Sequence, residues 1–416
     1  MVPLAAPADD EATFHAGRNA VHALSFFVAA MQTGFGPFVS VWLVSQGWTL
    51  TDVGFALSIG TVAGLCAQVP GGVLIDMMHL KRPITAIALG VVAVSALMIA
   101  LVPTVTSVWI AEVLHALGSA IITPAIAAVT LALCGHDSFS ERLGGNARYA
   151  SLGAALAAGG LGYASTRVGQ QSIFLLTAAL AIPAMLSLLA IRHGPTPPTP
   201  ADHMANAPPK DRDTPPWTIY RDSTMHIFAF CILLFQLGNA ALLPLALSGL
   251  SRHGEAVGFV VSAALIVPQL IVALASPWAG TMARVLGRRK VLLVGFLALP
   301  ARALLFACDP SPDAVDVIQI LDGVSATVLG MMPALIAADL TRKTGHLNLA
   351  IGSFGLAAGL GATLSTAAAG FVADWLGTGM AFLLLALVGC VAVVLLALFM
   401  PETRPEAEAQ GIEAPA

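Results

Sequence analysis

Long hydrophobic runs alternate with short polar segments along the whole chain, except in one central stretch. Residues 192–222 hold eight prolines, four aspartates, three arginines and one lysine. Such a composition cannot bury enough apolar surface to fold by itself, so we interpret this stretch as a solvated linker. Most of the hydrophobic runs on either side approach or exceed the length of about 20 residues that a helix needs to cross a bilayer.

These runs predict twelve transmembrane helices, six before the linker and six after it. Spans 1 to 6 are predicted at residues 19–44, 51–75, 83–102, 108–134, 144–165 and 172–191. Spans 7 to 12 are predicted at residues 223–250, 256–283, 291–308, 314–338, 347–372 and 378–400. Prolines inside the spans are expected to interrupt their helices, namely Pro37, Pro124, Pro244, Pro268 and Pro333.

The two halves resemble each other in parallel register. The hexapeptide that begins at Val53 (VGFALS) returns at Val257 (VGFVVS), and Gln32 corresponds to Gln236 at the same offset. We therefore predict an all-α polytopic membrane protein made of two pseudo-symmetric six-helix bundles, residues 19–191 and 223–400. Tails of residues 1–18 and 401–416 flank the bundles.

Composition agrees with a membrane protein. Hydrophobic residues make up 57% of the 416 and charged residues only 10%, with a mean hydropathy of +0.85, whereas a soluble domain carries about 25% charged residues. The net charge of −4 gives no reason to expect a nucleic-acid partner. The polar, acidic first 18 residues lack the basic region of a signal peptide, so we expect no cleaved leader.

The basic residues predict the orientation in the membrane. If the N-terminus is cytoplasmic, the cytoplasmic segments collect sixteen of the nineteen Lys and Arg residues. The positive-inside rule then places both termini and the linker in the cytoplasm. We expect a multi-pass protein of a bacterial-type plasma membrane.

A short basic turn precedes span 3 and another precedes span 9. The first reads GVLIDMMHLKR from Gly72, and the second reads GTMARVLGRRK from Gly280. With twelve spans, a six-plus-six duplication and a long central loop, the chain resembles the major facilitator superfamily. That family's hallmark between spans 2 and 3 is a Gly-x-x-x-Asp-basic-x-Gly-basic-basic loop, which is echoed between spans 8 and 9.

The match to this hallmark is partial. In the first copy Gly72, Asp76 and Lys81 fit, while Met77 replaces a basic residue. In the second copy Arg284 stands where the Asp would be, and the fitting residues are Gly280, Gly287, Arg288 and Arg289. The resemblance implies that these loops latch the two bundles in one conformation. Anchoring by the positive-inside rule is the alternative role for Lys81.

Spans 5 and 11 are rich in glycine. Small residues let helices approach closely and slide, as a rocking transporter requires. Drug-efflux members of the family carry a glycine-rich motif with a proline in span 5, and here the glycines are present without the proline. Close static packing is the alternative reason for these glycines.

Ionisable residues inside a span are costly, so each is a functional hypothesis. Glu112 and His115 lie three residues apart and thus on one face of span 4, and Asp322 in span 10 corresponds to His115 in the repeat. The resemblance implies a central cavity lined by spans 1, 4, 7 and 10, which would bring these three residues together. Arg302, at similar depth in span 9, could neutralise one of the acids.

We interpret this group as a proton or cation site, because a low-dielectric cavity lets a carboxyl group load and release a proton. Three alternatives stay open. Glu112 could be solvated near the membrane surface, His115 could serve helix packing, and Glu112, His115 and Asp322 could bind a divalent metal.

Three amides lie within spans 1 and 7: Gln32, Gln236 and Asn239. An uncharged amide in a span can hydrogen-bond a substrate or join two helices. The matched positions of Gln32 and Gln236 in the repeat favour the cavity face, so we predict substrate contact.

The chain has no Gly-x-x-x-x-Gly-Lys-Ser/Thr loop, so nothing suggests ATP-driven pumping or any other cofactor. We predict a secondary transporter that alternates access by rocking its two bundles. Proton-coupled export of a small apolar or amphipathic compound is favoured, since the candidate lining is mostly apolar with a few acids. Proton-coupled uptake of a small organic solute is the alternative, and an intramembrane enzyme or a sensor is a remote one. A monomer is mechanistically sufficient.

Overall fold

The computed structural model describes residues 8–78, 81–191, 215–250, 257–308 and 312–405. Throughout this described part the chain is helical, without any strand, which confirms the predicted fold class. Most of the predicted linker lies outside the described residues, and its last residues form a 3₁₀ helix, Pro216–Arg221.

The helices group into twelve spans. The N-terminal half contains span 1 (Ala8–Thr33 and Gly36–Ser45), span 2 (Leu50–Met77), span 3 (Lys81–Leu101), span 4 (Val105–Cys134), span 5 (Phe139–Arg167) and span 6 (Gln171–Ala179 and Ala181–Ala190). The C-terminal half contains span 7 (Ser223–Asn239 and Leu242–Leu250), span 8 (Val257–Leu286), span 9 (Arg288–Ala307), span 10 (Pro312–Leu329 and Met332–Leu340), span 11 (Leu347–Leu376) and span 12 (Thr378–Phe399).

Eleven of these spans are long and apolar enough to cross a membrane. Span 5 is the exception, although its helix has 29 residues. It is rich in Gly, Ala and Ser and carries four charged residues, Glu141, Arg142, Arg148 and Arg167. Packing against other helices therefore holds span 5 in the bundle, because it contacts span 8 and span 1 along much of its length.

Spans 1, 6, 7 and 10 are each broken near the middle. Each break falls about one turn before a proline, which lacks the N–H group that would continue the helical hydrogen bonds; these prolines are Pro37, Pro183, Pro244 and Pro333. Pro124 and Pro268 lie inside continuous helices instead. The prediction of interrupted helices is thus confirmed at Pro37, Pro244 and Pro333 and wrong at Pro124 and Pro268.

We call the end of the molecule where Met77, Cys134 and Ser223 lie the linker end, and the opposite end the far end. The closest contacts between the two halves lie towards the linker end, where span 2 packs on span 11 and span 5 packs on span 8. A Cβ on Gly72 would overlap the backbone of Asn348, and one on Gly352 would overlap the carbonyl of Gln68. The other helix pair mirrors this arrangement.

In that second pair, Gly280 of span 8 lies against the carbonyl of Ser140, and Gly144 of span 5 lies against the carbonyl of Ser276. The two halves are therefore in backbone-to-backbone contact through glycines at the linker end. One hydrophobic cluster of the C-terminal half extends into the N-terminal half here, through Phe139 and Leu143. The linker end is thus closed in this structure.

Candidate functional site

A polar cluster joins spans 1 and 4 in the N-terminal half. Gln32 donates from Nε2 to the hydroxyl of Ser119 at 2.9 Å, and its Oε1 lies 2.9 Å from Nε2 of His115. The ring of Phe35 stacks on the imidazole of His115 with 3.7 Å between ring centroids. Gln32 and His115, predicted on separate grounds, are thus hydrogen-bonded to each other.

Glu112 lies one helical turn before His115 on span 4, beside a cavity of about 630 Å³. The cavity is formed by spans 1, 2 and 4 and is lined by Gln32, Phe35, Ser40, Leu57, Gly60, Thr61, Glu112, His115 and Ala116. Glu112 is only 6% exposed, so it is not the solvated surface residue of the alternative interpretation.

A second network lies in the C-terminal half and centres on Arg302. Its guanidinium donates to Oδ1 of Asp322 at 2.5 Å, to Oδ1 of Asn239 at 2.9 Å and to Oε1 of Gln319 at 2.7 Å. Gln319 in turn donates to the carbonyl of Ala264 at 2.8 Å. Spans 7, 8, 9 and 10 are therefore tied together around one buried ion pair.

The exposures of the two charges differ. The side chain of Arg302 is 3% exposed, whereas that of Asp322 is 23% exposed. Asp322 is thus the less buried member of the pair. Arg302 was predicted to neutralise one of the acids, and in the structure the acid that it pairs with is Asp322.

The structure does not bring Asp322 to the cavity beside Glu112 and His115, whose lining comes only from the N-terminal half. The expectation of one shared cavity is therefore not met in this conformation, in which the predicted residues form two separate networks. No group of three His, Cys, Asp or Glu side chains that could hold a metal ion occurs among the described residues.

Gln236, the repeat counterpart of Gln32, is half-buried in span 7. A Cβ on Gly361 of span 11 would lie 3.1 Å from its Cβ, so Gln236 sits where spans 7 and 11 meet. Two members of the networks, Ser119 and Gln319, were not among the predicted site residues. Both carried a detectable signal, because Ser119 lies four residues after His115 and Gln319 three residues before Asp322, each on the same helix face.

The first hallmark loop contacts the opposite half directly. The carboxylate of Asp76 accepts hydrogen bonds from the backbone N–H groups of Asn348 at 3.1 Å and Leu349 at 2.8 Å, and from Nδ2 of Asn348 at 2.6 Å. It therefore caps the N-terminus of span 11, where a helix leaves backbone donors unpaired and favours negative charge. Lys81 is half-buried at the start of span 3.

The second hallmark loop has different contacts. Arg284 forms a cross-bundle ion pair with Glu141 at 2.8 Å, with 38% and 42% of the two side chains exposed. Arg288 instead binds Asp339 of its own half at 2.9 Å. Arg289 donates to the carbonyl of Ala397, also in its own half.

Glu402 completes this loop from the segment after span 12. Its carboxylate accepts from the backbone N–H of Arg288 at 2.7 Å and of Arg289 at 3.2 Å. Gly287 reaches this arrangement with a φ of +97°, in the region that favours glycine. Arg288 and Arg289 thus bind residues of their own C-terminal half. Arg284 makes the contact with the N-terminal half.

The twelve-span fold, closed at one end by paired helices from two similar halves, is that of a secondary transporter. A family model described as the Major Facilitator Superfamily matches residues 21–267 and 228–415. The chain belongs to this superfamily, and it is therefore a membrane transport protein and not an enzyme.

Relatives agree with this assignment. The chain is 30% identical over 394 residues to an uncharacterized MFS-type transporter of Mycobacterium tuberculosis, found in strains CDC 1551 and H37Rv, with 92% of this chain and 93% of the relative covered. Among solved structures, the fucose:proton symporter FucP of E. coli is similar with a TM-score of 0.72 at 14% identity, covering 94% of this chain and 100% of that one. The proton:xylose symporter XylE is similar with a TM-score of 0.75 at 13% identity, covering 97% and 100%.

Proposed function

We propose that this protein is a proton-coupled exporter of a small apolar or amphipathic compound, working by alternating access between its two six-helix bundles. The observation that carries the proposal is the ion pair between Arg302 and Asp322 inside the C-terminal half. With the linker end in the cytoplasm, as the basic residues predict, the structure corresponds to a conformation closed towards the cytoplasm.

The ion pair supplies a means of coupling. A proton that binds Asp322 removes the charge that neutralises Arg302, and an unpaired buried guanidinium is strongly unfavourable. The network of Asn239, Arg302 and Gln319 must then rearrange, and it joins spans 7 to 10. Protonation is therefore linked to the relative positions of these helices.

The lining of the cavity favours export over uptake of an anion. An anionic solute calls for a free cation, but Arg302 is already occupied by Asp322, Asn239 and Gln319. The lining on the N-terminal side contributes an acid, Glu112, and no Lys or Arg.

Proton-coupled uptake is the second candidate. It is favoured by the polar cluster of Gln32, His115 and Ser119, which could hydrogen-bond a hydrophilic solute. Two structures with the same fold are also described as proton symporters of fucose and xylose.

The test is a toxicity panel in a bacterial host stripped of its own efflux pumps, across antibiotics, dyes, metals and metabolites. It compares the native protein, Asp322→Asn, empty vector and Asp374→Asn, a matched control at an exposed position of span 11. Resistance that persists in the control and disappears in Asp322→Asn, at equal membrane levels, supports proton-coupled export. Sensitisation by the native chain would favour uptake, and resistance that survives Asp322→Asn would remove Asp322 from the coupling mechanism.

A further inference from the structure

Glu112 differs from the other buried acids of the described residues in lacking a visible partner. Its side chain is 6% exposed, and its Oε1 atom has no hydrogen-bond partner within the described part of the chain. By contrast, Asp322 pairs with Arg302 and Asp339 pairs with Arg288. A buried carboxylate without a donor is costly unless it takes up a proton or meets a cation, and Oε1 of Glu112 finds no such partner among the described residues.

The cavity beside Glu112 has the size of a ligand site. Its volume of about 630 Å³ falls within the range of roughly 300–1,000 Å³ typical of small-molecule pockets. Glu112 is the one acidic side chain in its lining, which contains neither Lys nor Arg. The cavity therefore offers one carboxyl group to a ligand, without a lysine or arginine that would compete for it.

The remaining walls suit an apolar body. Leu57 and Ala116 supply aliphatic surface, and the stacked rings of Phe35 and His115 form a flat wall. His115 is held by its contact with Oε1 of Gln32, itself fixed by Ser119. Aromatic faces attract cations as well as apolar groups.

Gly60 lets the carboxylate approach span 2. A Cβ at this position would lie 2.6 Å from Oε2 of Glu112, so a larger residue would push the Glu112 side chain away. The absence of a side chain at Gly60 thus leaves room for the Glu112 carboxylate against span 2.

We propose that this cavity binds a hydrophobic monovalent organic cation, with Glu112 as its counter-ion. The inference rests on the proposed transport function and deepens it, because it names the class of substrate for which the N-terminal half is built. Recognition takes place entirely within spans 1, 2 and 4. The Arg302–Asp322 pair lies elsewhere, in spans 9 and 10.

The test is equilibrium binding of radiolabelled tetraphenylphosphonium to the purified full-length protein in detergent. Tetraphenylborate, an anion of nearly the same shape, is the comparison probe. We expect saturable binding of the phosphonium, displaced by unlabelled phosphonium, and no saturable binding of radiolabelled borate measured in a separate sample. Glu112→Gln should weaken phosphonium binding by about 10- to 100-fold, as expected for loss of one charged partner.

Two further variants control for folding and for general surface charge. Glu112→Asp keeps the carboxylate and should retain part of the affinity. Asp52→Asn removes an exposed acid from the far end of span 2 and should leave binding unchanged. Absence of phosphonium binding to the native protein, equal binding of the two probes, or undiminished binding by a folded Glu112→Gln protein would each overturn the proposal.

Transport measurements separate this inference from the proposed function. If vesicles show proton-driven phosphonium transport that depends on Asp322 but survives Glu112→Gln, the cation site is wrong and proton coupling stands. If the phosphonium binds through Glu112 but no proton gradient drives its movement, the cation site stands and proton-coupled transport is wrong.

Discussion

The contact of Asp76 with the start of span 11 predicts a measurable shift in the conformational equilibrium. Asp76 belongs to the N-terminal half and Asn348 and Leu349 to the C-terminal half, so the three hydrogen bonds exist only when the linker end is closed. Replacing Asp76 by Ala removes all of them. Replacing it by Asn keeps one acceptor oxygen and removes the charge.

The magnitude follows from the kind of contact. Loss of a side chain that caps a helix N-terminus costs about 0.5–2 kcal/mol, and loss of a negative charge at that end costs about 0.3–1 kcal/mol. Together they favour the closed linker end by about 1–3 kcal/mol, or roughly 5- to 150-fold in population. We expect Asp76→Ala to shift the equilibrium by an amount in this range towards the open linker end, and Asp76→Asn to shift it less.

The assay is a distance measurement between spin labels, with one pair of labels across the linker end and another across the far end. It uses a background in which the five native cysteines are replaced by serine. Asp52→Asn is the matched control, since Asp52 is exposed and bonds within its own half to Thr49 at 2.6 Å. Unchanged distance distributions in a folded Asp76→Ala protein would refute the assignment of Asp76 as a latch.

Three other perturbations test the packing of the bundles. Gly352→Val should prevent closure of the linker end because its side chain would overlap the backbone of span 2, while Gly159→Val, in open space, should leave the label distances unchanged. Glu402→Ala should lower the free energy of unfolding by about 1–3 kcal/mol, since three backbone donors, those of Arg288, Arg289 and Arg404, lose their partner; an unaltered melting temperature would contradict this. Arg302→Met should cost about 1–3 kcal/mol, less than for a fully buried pair because 23% of the Asp322 side chain is exposed. In thermal denaturation, the double variant with Arg302→Met and Asp322→Leu should recover much of the lost stability. A further loss of stability in the double variant would show that the ion pair itself stabilises the fold.

The sequence by itself determined the class of the protein. Hydropathy depends on residues that are close along the chain, and therefore the spans could be located without knowledge of their neighbours. The helix breaks before Pro37, Pro244 and Pro333 are local for the same reason, because each proline removes one hydrogen bond of its own helix. Span 5 was also located, although its small and charged residues leave it outside the set of eleven helices that are long and apolar enough to cross a membrane.

Only the tertiary structure decided which side chains meet. The sequence indicated that Arg302 lies at a similar depth to two acids, Glu112 and Asp322. In the structure spans 9 and 10 are rotated so that Arg302 pairs with Asp322, whereas Glu112 lies beside a cavity. Likewise, the partners of Asp76 lie more than 270 residues away along the chain. Such pairings depend on how helices rotate and pack against each other, and no periodicity within a single helix records that arrangement.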